Sequence, residues 1–477
     1  MANDPTLWRS AHAARVSVVV DADDYFVHAR SAMMQATKRI MLIGWDFDAR
    51  ISLVDDEQRE DDPATLGDFI LWLAERRPEL EFYLLRWDMG ALKVFMRGTT
   101  VLTVLKWMRH PHIHTKLDHH HPTGASHHQK IVVIDDRFAF CGGIDMTSGR
   151  WDTRKHEHND PRRIGSNGKP YKAWHDATSA IQGEAARALG DLARDRWVLA
   201  GGHPLAPVAD ACAVWPEDLA VDFEDVEVGI ARTRPEMDDS DGIHEIEALF
   251  VAQIAAARTS IYAESQYFAS RRIAEALAAR LDEPDGPEIV LINPLTAEGW
   301  LEPIAMDSAR ARLVATLRTH DKHGRLRLYH PYTSGGAPIY VHAKVTIIDG
   351  RVLRIGSANM NNRSMRLDSE CDVTLSGEPG SAVADRVATI RDELIAEHLG
   401  VDADTVSASI AAHGLIATIE AMRGEGRTLI PYLMPNVDGV KAWLADNEVL
   451  DPEGPSEMFE ATAHRGLFRR MRHPTRW

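Results

Sequence analysis

Two stretches of this chain carry the same three reactive residues at the same spacing. His128, Lys130 and Asp135 stand in His128-Gln129-Lys130-Ile131-Val132-Val133-Ile134-Asp135. His342, Lys344 and Asp349 stand in His342-Ala343-Lys344-Val345-Thr346-Ile347-Ile348-Asp349. Both read H-x-K-x-x-x-x-D. An imidazole changes charge near neutral pH and serves as nucleophile, general acid or general base. Two imidazoles and two ammonium groups around one point would suit displacement at a phosphodiester. One histidine attacks phosphorus, the other protonates the leaving oxygen, and the lysines stabilise charge on the phosphoryl oxygens. With those cations in place the chemistry needs no metal, and neither a metal nor another cofactor is expected.

The elements that must hold these groups are legible around them. Four or five apolar residues between polar ones predict a buried strand in each stretch. Side chains alternate along a strand, so a histidine and a lysine two apart point to one face. A small-residue turn follows each aspartate at the same distance, Gly142-Gly143-Ile144-Asp145 and Gly356-Ser357-Ala358-Asn359. The plan upstream repeats as well. Val16–Val20, a helical stretch to Lys38 and the strand from Ile40 are matched by Val226–Ala231, a helical stretch from Ile243 to Ala257 and the strand from Ile261. Ile261 lies 221 residues after Ile40, and His342 lies 214 after His128. Two landmarks with nearly one offset mean that a whole unit is repeated.

Between these landmarks, Leu66–Arg76 and Arg271–Leu281 read as helices, Leu80–Leu85 and Glu288–Ile292 as strands. Strands alternating with helices predict an α/β sandwich with a mainly parallel sheet in each half. The predicted organisation is a first lobe over 1–200, a linker rich in Gly, Pro, Ala and Asp over 201–225, a second lobe over 226–400 and a mainly helical extension over 401–477.

The duplicated motif resembles that of the phospholipase D superfamily, and within it the phospholipases D themselves. Ser126-His127-His128-Gln129-Lys130 with Gly142-Gly143-Ile144-Asp145 and Gly149-Arg150-Trp151-Asp152 is similar to the first motif region of those enzymes. Ile355 to Ser364, followed by Asp368-Ser369-Glu370, is similar to the second. The likeness runs from about residue 16 to about residue 400. It implies an α/β fold of two α/β/α lobes with pseudo-twofold symmetry and the site at their seam. It also implies hydrolysis of the distal phosphodiester of a glycerophospholipid, giving phosphatidic acid and a headgroup alcohol, with transfer to other alcohols. The resemblance favours His128 as the residue that becomes the phosphohistidine and His342 as first acid, then base. The residues alone leave that order open.

A nucleophilic imidazole needs its second nitrogen held by an acceptor. Asp152, 24 residues after His128, and Glu370, 28 residues after His342, are the candidates, and both lie where the family has its orienting acids. Which acid serves which histidine stays open. The motif aspartates Asp135 and Asp349 end their strands and are expected to brace the site rather than touch substrate. Ser357 and Asn359 are implied as phosphate ligands. The first half has Gly143 and Asp145 there, and an ionised Asp145 would repel phosphate, so the role is not carried across.

Composition narrows the partners. Lys and Arg total 54 against 71 Asp and Glu, a formal charge of −17, which is unfavourable for gathering a nucleic-acid backbone. No nucleic acid is therefore expected, and a phospholipid substrate is what the resemblance implies. Eight histidines fall between His110 and His128. Without an acidic or cysteine partner in a familiar pattern they read as a polar rim to the pocket, with His127 near substrate. Trp45, Trp87, Trp151, Tyr267 and Tyr332 are candidates to line an entrance suited to a choline-type cation. Three cysteines (Cys141, Cys212, Cys371) cannot all pair and suggest a reducing compartment. There is no leader-like apolar stretch and no 18-residue apolar run. The expectation is a cytoplasmic monomer with peripheral membrane contact through the five arginines of Arg465–Trp477. Competing readings are a transferase similar to cardiolipin synthases, a nuclease of the superfamily, and a lipid-binding protein without catalysis.

Overall fold

The computed structural model describes residues 4–54, 62–88, 99–209, 211–212, 214–237, 240–297 and 302–434. The first half runs β1 (Arg9–Val20), α1 (Ala22–Gln35), β2 (Arg39–Gly44), α2 (Leu66–Arg76), β3 (Glu81–Trp87), α3 (Thr99–Arg109), β4 (Ile113–Asp118), β5 (Ile131–Ile134), β6 (Phe138–Gly142), β7 (Trp174–His175), β8 (Ala177–Gly183) and α4 (Glu184–Leu199). The second half repeats it. It runs β9 (Phe223–Arg234), β10 (Ile243–His244), α5 (Glu245–Ala256), β11 (Ser260–Glu264), α6 (Arg271–Asp282), β12 (Glu288–Ile292), α7 (Glu302–His320), β13 (Leu326–Tyr332), β14 (Tyr340–Val341), β15 (Val345–Ile348), β16 (Val352–Gly356), β17 (Glu370–Ser376) and α8 (Ala382–Leu399). Then come α9 (Ala403–His413), α10 (Leu415–Met422) and β18 (Thr428–Pro431).

The repeat appears directly in the strand order, β18-β13-β12-β11-β15-β16-β17-β9-β1-β8-β6-β5-β2-β3-β4. Read outward from the antiparallel contact of β1 with β9, the same sequence of strands occurs on either side. The two lobes therefore share one continuous sheet. It is mixed rather than mainly parallel. Within the sheet β2-β3-β4 and β11-β12-β13 are the parallel trios, and the pairs joining the motif strands to the centre are antiparallel. Alternation of strands with helices suggests a parallel sheet, but helices cover both faces of this one whatever the strand direction, so its antiparallel strands are continuously apolar as well. Ile131 and Val133 enter the shared central core with Val345 and Ile347, whereas Val132 and Ile134 pack into the outer core of the first lobe. Helices α4 and α8 cover the central core; α1 and α2 cover the first outer core, α5 and α6 the second.

The extension is helical as expected in α9 and α10, but β18 then adds an edge strand to β13. The arginines of Arg465–Trp477 lie outside the described residues. The stretch taken as a linker, 201–225, already contains the first residues of β9.

Candidate active site

β5 is antiparallel to β2, and β15 to β11, so each motif strand starts at the carboxyl ends of its parallel neighbours. In open α/β sheets that edge is where ligands are held. The symmetry brings the two starting ends together. His128 and His342 stand with ring centroids 6.5 Å apart.

The chain before each motif pairs with the acid-bearing segment of the opposite lobe. β14 lies parallel to β7, and the His342 N–H donates to the His175 carbonyl at 2.7 Å. His128 N–H donates to the Ser369 carbonyl at 2.9 Å. The orienting acids are consequently crossed. His128 Nδ1 is 3.1 Å from both carboxylate oxygens of Glu370, and His342 Nδ1 is 2.6 Å from Asp176 Oδ2. Each pair leaves Nε2 as the ring nitrogen that can meet substrate.

Asp176 replaces Asp152 in this role. Asp152 is wholly buried and binds His156 Nδ1 at 3.0 Å, Arg163 at 3.0 Å and the Trp174 N–H at 2.8 Å, with no hydrogen bond to either motif histidine. Counting residues from the histidine misled, because the first lobe carries a longer excursion between equivalent strands. Asp176 lies 34 residues after Gly142, whereas Glu370 lies 14 after Gly356. The usable signal was position: each acid opens, or directly precedes, the strand that returns beside the glycine turn. Gly143 belongs to the same arrangement, since a Cβ there would sit 2.2 Å from Asp176 Oδ1.

The cations converge as the spacing required. Lys130 Nζ is 2.8 Å from the His128 carbonyl and 3.3 Å from Asp145 Oδ2, so Asp145 serves as the lysine's counter-ion. Lys344 Nζ meets the His342 carbonyl and lies 3.5 Å from Gln266 Oε1, which also accepts from Asn359 Nδ2 at 3.4 Å. Burial pushes Lys344 down to about 7. Asn359 thus faces the lysine, and its Oδ1 is buried without a hydrogen-bond partner. Ser357 does not face outward: its hydroxyl donates to Glu370 Oε2 and it is wholly buried. With Ser364 donating to Glu370 Oε1 at 2.7 Å, it fixes the carboxylate that fixes His128. Burial drives the Glu370 carboxyl up to about 8 and the His128 ring well below its ordinary value. His342 is also driven down, by burial and then by Lys344 and Arg150. Both imidazoles are therefore held towards neutrality.

The motif aspartates, counted with the reactive set, lie at the far ends of their strands. Asp135 accepts from Thr37 N–H, Thr37 Oγ1–H, Lys38 N–H and Arg39 N–H at 2.6–2.8 Å. Asp349 does the same for Arg258, Thr259 and Ser260 at 2.7–3.0 Å. Both take positive φ, 52° and 55°. They pin the entry of β2 and β11 and brace the site without reaching it. Asp135→Ala should therefore lower unfolding stability by about 3 kcal/mol in urea titration, since it removes the buried acceptor shared by three backbone N–H groups and a hydroxyl. An unchanged midpoint would contradict this role.

The histidine-rich stretch resolves into local contacts with carboxylates, two of the histidines sharing one. His112 and His114 bind Glu81 at 2.8 and 2.7 Å, and His121 binds Asp88 at 3.0 Å. His127 does not sit at the rim; it is buried against Asp118 at 3.0 Å and Arg196. Trp45 and Trp87 stack at 5.9 Å, while Trp151 packs at the first outer core. Sequence reasoning missed Trp174, whose ring packs 5.2 Å from that of His342 with the Arg150 guanidinium 4.0 Å from its face. Tyr267 receives a hydrogen bond from Gln266 at 3.0 Å.

A crossed pair of histidines at the seam of a duplicated α/β sheet defines the class, and comparison with known proteins agrees. The phospholipase D family model matches residues 32–241, and that of the cardiolipin synthase, PLD-like domain matches 250–394. The chain belongs to the phospholipase D superfamily. It is 24% identical to phospholipase D A of Dictyostelium discoideum over 81% of this chain and 36% of that one. It is 23% identical to phospholipase D alpha 1 of Carica papaya over 78% of this chain and 63% of that one. It thus spans between about a third and two thirds of the length of these relatives. The crystal structure of phosphatidylserine synthase from Haemophilus influenzae shares the fold, with a TM-score of 0.53 at 12% identity over 80% of this chain and 86% of that one.

Proposed function

We propose that the protein is a phospholipase D that cleaves the distal phosphodiester of a glycerophospholipid through a phosphohistidine. The observation that carries this reading is the crossed pair, two imidazoles each held at Nδ1 by a carboxylate from the other lobe. His128 Nε2 attacks phosphorus and His342 donates a proton to the departing headgroup oxygen. Neutral His342 then takes a proton from water or an alcohol, which displaces His128 from phosphorus. Lys130, Lys344 and Asn359 hold the phosphoryl oxygens, and the incoming phosphate's negative charge offsets the cations that keep the imidazoles neutral. His342 can then carry its proton. The site is completed by one chain, which supports action as a monomer at the surface of a membrane. Among the described residues no helix is long and apolar enough to cross one. Free Cys141 and Cys371, with sulfurs 3.7 Å apart, fit a reducing compartment such as the cytoplasm.

Phosphatidylcholine vesicles with added ethanol test the assignment. Choline, phosphatidic acid and phosphatidylethanol should all appear; a folded protein yielding none of them would overturn it. A second reading, transfer to a lipid alcohol, is favoured by the match of the second half to the cardiolipin synthase model. Phosphatidylglycerol supplied as acceptor should then outcompete ethanol at far lower concentration.

The lysine shift gives a pH signature. A depressed ammonium keeps its charge below about 7 and loses it above, so kcat/KM should fall on the alkaline side with a limb near 7. Lys344→Arg should move that limb upward by at least about two pH units, because a guanidinium stays charged. A limb that does not respond to this substitution would refute the attribution.

A further inference from the structure

Behind His342 lies a second cluster of titratable side chains that takes no part in the displacement. His156 Nε2 and His175 Nδ1 face the carboxylates of Asp21 and Glu397, and one atom from each of the four lies within 4.8 Å of every other. All four residues are buried. The separations are 2.9 Å from His175 Nδ1 to Glu397 Oε1, 3.1 Å from His156 Nε2 to the same oxygen, and 3.4 Å from each imidazole to an Asp21 oxygen. Four ligands at zinc–nitrogen and zinc–oxygen bond lengths define a tetrahedron with edges of roughly 3.3 Å.

The surroundings also fit a metal. Each histidine has its other nitrogen held by a further carboxylate, His156 Nδ1 by Asp152 at 3.0 Å and His175 Nε2 by Glu264 at 2.8 Å. Carboxylate–histidine pairs of this kind orient metal ligands and raise their basicity. Two ligand atoms, Asp21 Oδ2 and His175 Nδ1, are buried with no hydrogen-bond partner. His175 Nδ1 is close to Glu397 Oε1 without the alignment of a hydrogen bond, as lone pairs aimed at a common centre would be. Charge agrees. Arg163 pairs with Asp152 and Arg154 with Glu397, so of the four carboxylates, Asp21 and Glu264 remain to be balanced. One divalent ion does so with both imidazoles neutral. Without it, and against the cost of burial, the surrounding carboxylates hold His156 up at about 9 and His175 well above its ordinary value, so two ring protons are the alternative to the ion.

We propose that these four side chains bind one divalent transition ion of the zinc class as a closed structural site. Asp21, His156 and His175 come from the first lobe and Glu397 from α8 of the second, so the ion ties the lobes together. It also fixes the segment that places His342: Asp21 Oδ1 accepts from the Asp176 N–H at 3.0 Å, and the His175 carbonyl accepts from the His342 N–H. The ion does not touch phosphorus, so the proposal stands apart from the reading of the reaction.

The test is metal content, independent of activity. Untagged full-length protein expressed in zinc-supplemented medium and passed through EDTA should retain about one zinc per chain by mass spectrometry, released on denaturation. Asp21→Asn and Glu397→Gln should each bring this below about a fifth of an equivalent, since losing a ligand opens the site. Wild-type protein grown with cobalt should show the intense visible bands of tetrahedral cobalt, which keeps the test open if the variants fail to fold. Folded wild-type protein without stoichiometric metal, its cluster held by protons alone, would overturn the proposal. So would an absence of cobalt bands, or zinc fully retained in both folded variants.

Discussion

His128→Ala is expected to lower phosphodiester turnover by at least about 10⁴-fold, because it removes the atom that bonds to phosphorus and leaves only binding and charge stabilisation. His342→Ala should be of similar severity on a natural headgroup, whose alkoxide cannot leave unprotonated. The two variants part company on a phosphatidyl ester of p-nitrophenol, a leaving group that needs no proton. There His342→Ala should release a stoichiometric burst of p-nitrophenol as the covalent intermediate forms, while His128→Ala should give no burst. The acid's contribution, about 10²–10⁴-fold for a positioned proton donor, is what the activated substrate returns. Equal rates of both variants on that substrate would mean the roles are wrongly divided.

The second large effect concerns two aspartates in the first lobe. Asp176→Asn should lower kcat by about 10³-fold, since an amide cannot stabilise the imidazolium of His342 and can hold the wrong tautomer. The carboxylate lies 2.6 Å from Nδ1, so little else could substitute for it. Asp152→Asn should act differently. Its carboxylate joins His156, Arg163 and the Trp174 backbone in the interior, so the substitution should lower stability by about 3 kcal/mol, seen as an earlier urea midpoint. Steady-state kinetics and urea titration on both variants separate the roles. If Asp152→Asn lost turnover without loss of stability while Asp176→Asn kept its rate, the crossed arrangement would not describe the working enzyme.

How far the sequence led depends on what kind of signal each residue leaves. His128, Lys130, His342 and Lys344 were legible because period-two alternation and a repeated spacing are local, and the repeat excluded coincidence. The two-lobe plan was legible for the same reason. Strand direction was not: burial on both faces erases the alternation that normally marks antiparallel strands, and Ile131 to Ile134 divide between two cores. Asp176 was missed because an excursion in the first lobe breaks the register between the halves, so residue counting selected Asp152. Ser357 was read as a phosphate ligand from its motif, yet its side chain turns inward to Glu370, a direction no spacing reveals. The interior cluster around His175 was invisible because its members, from Asp21 to Glu397, are contributed by segments far apart in the chain.

The central claim is that phosphorus is displaced twice, first by His128 and then by water or an alcohol. A phospholipid made chiral at phosphorus by sulfur and oxygen-isotope labels reports this directly when its phosphoryl group is transferred to an alcohol. Two in-line displacements predict retention of configuration in the product. Inversion would signify one direct displacement and would contradict the account.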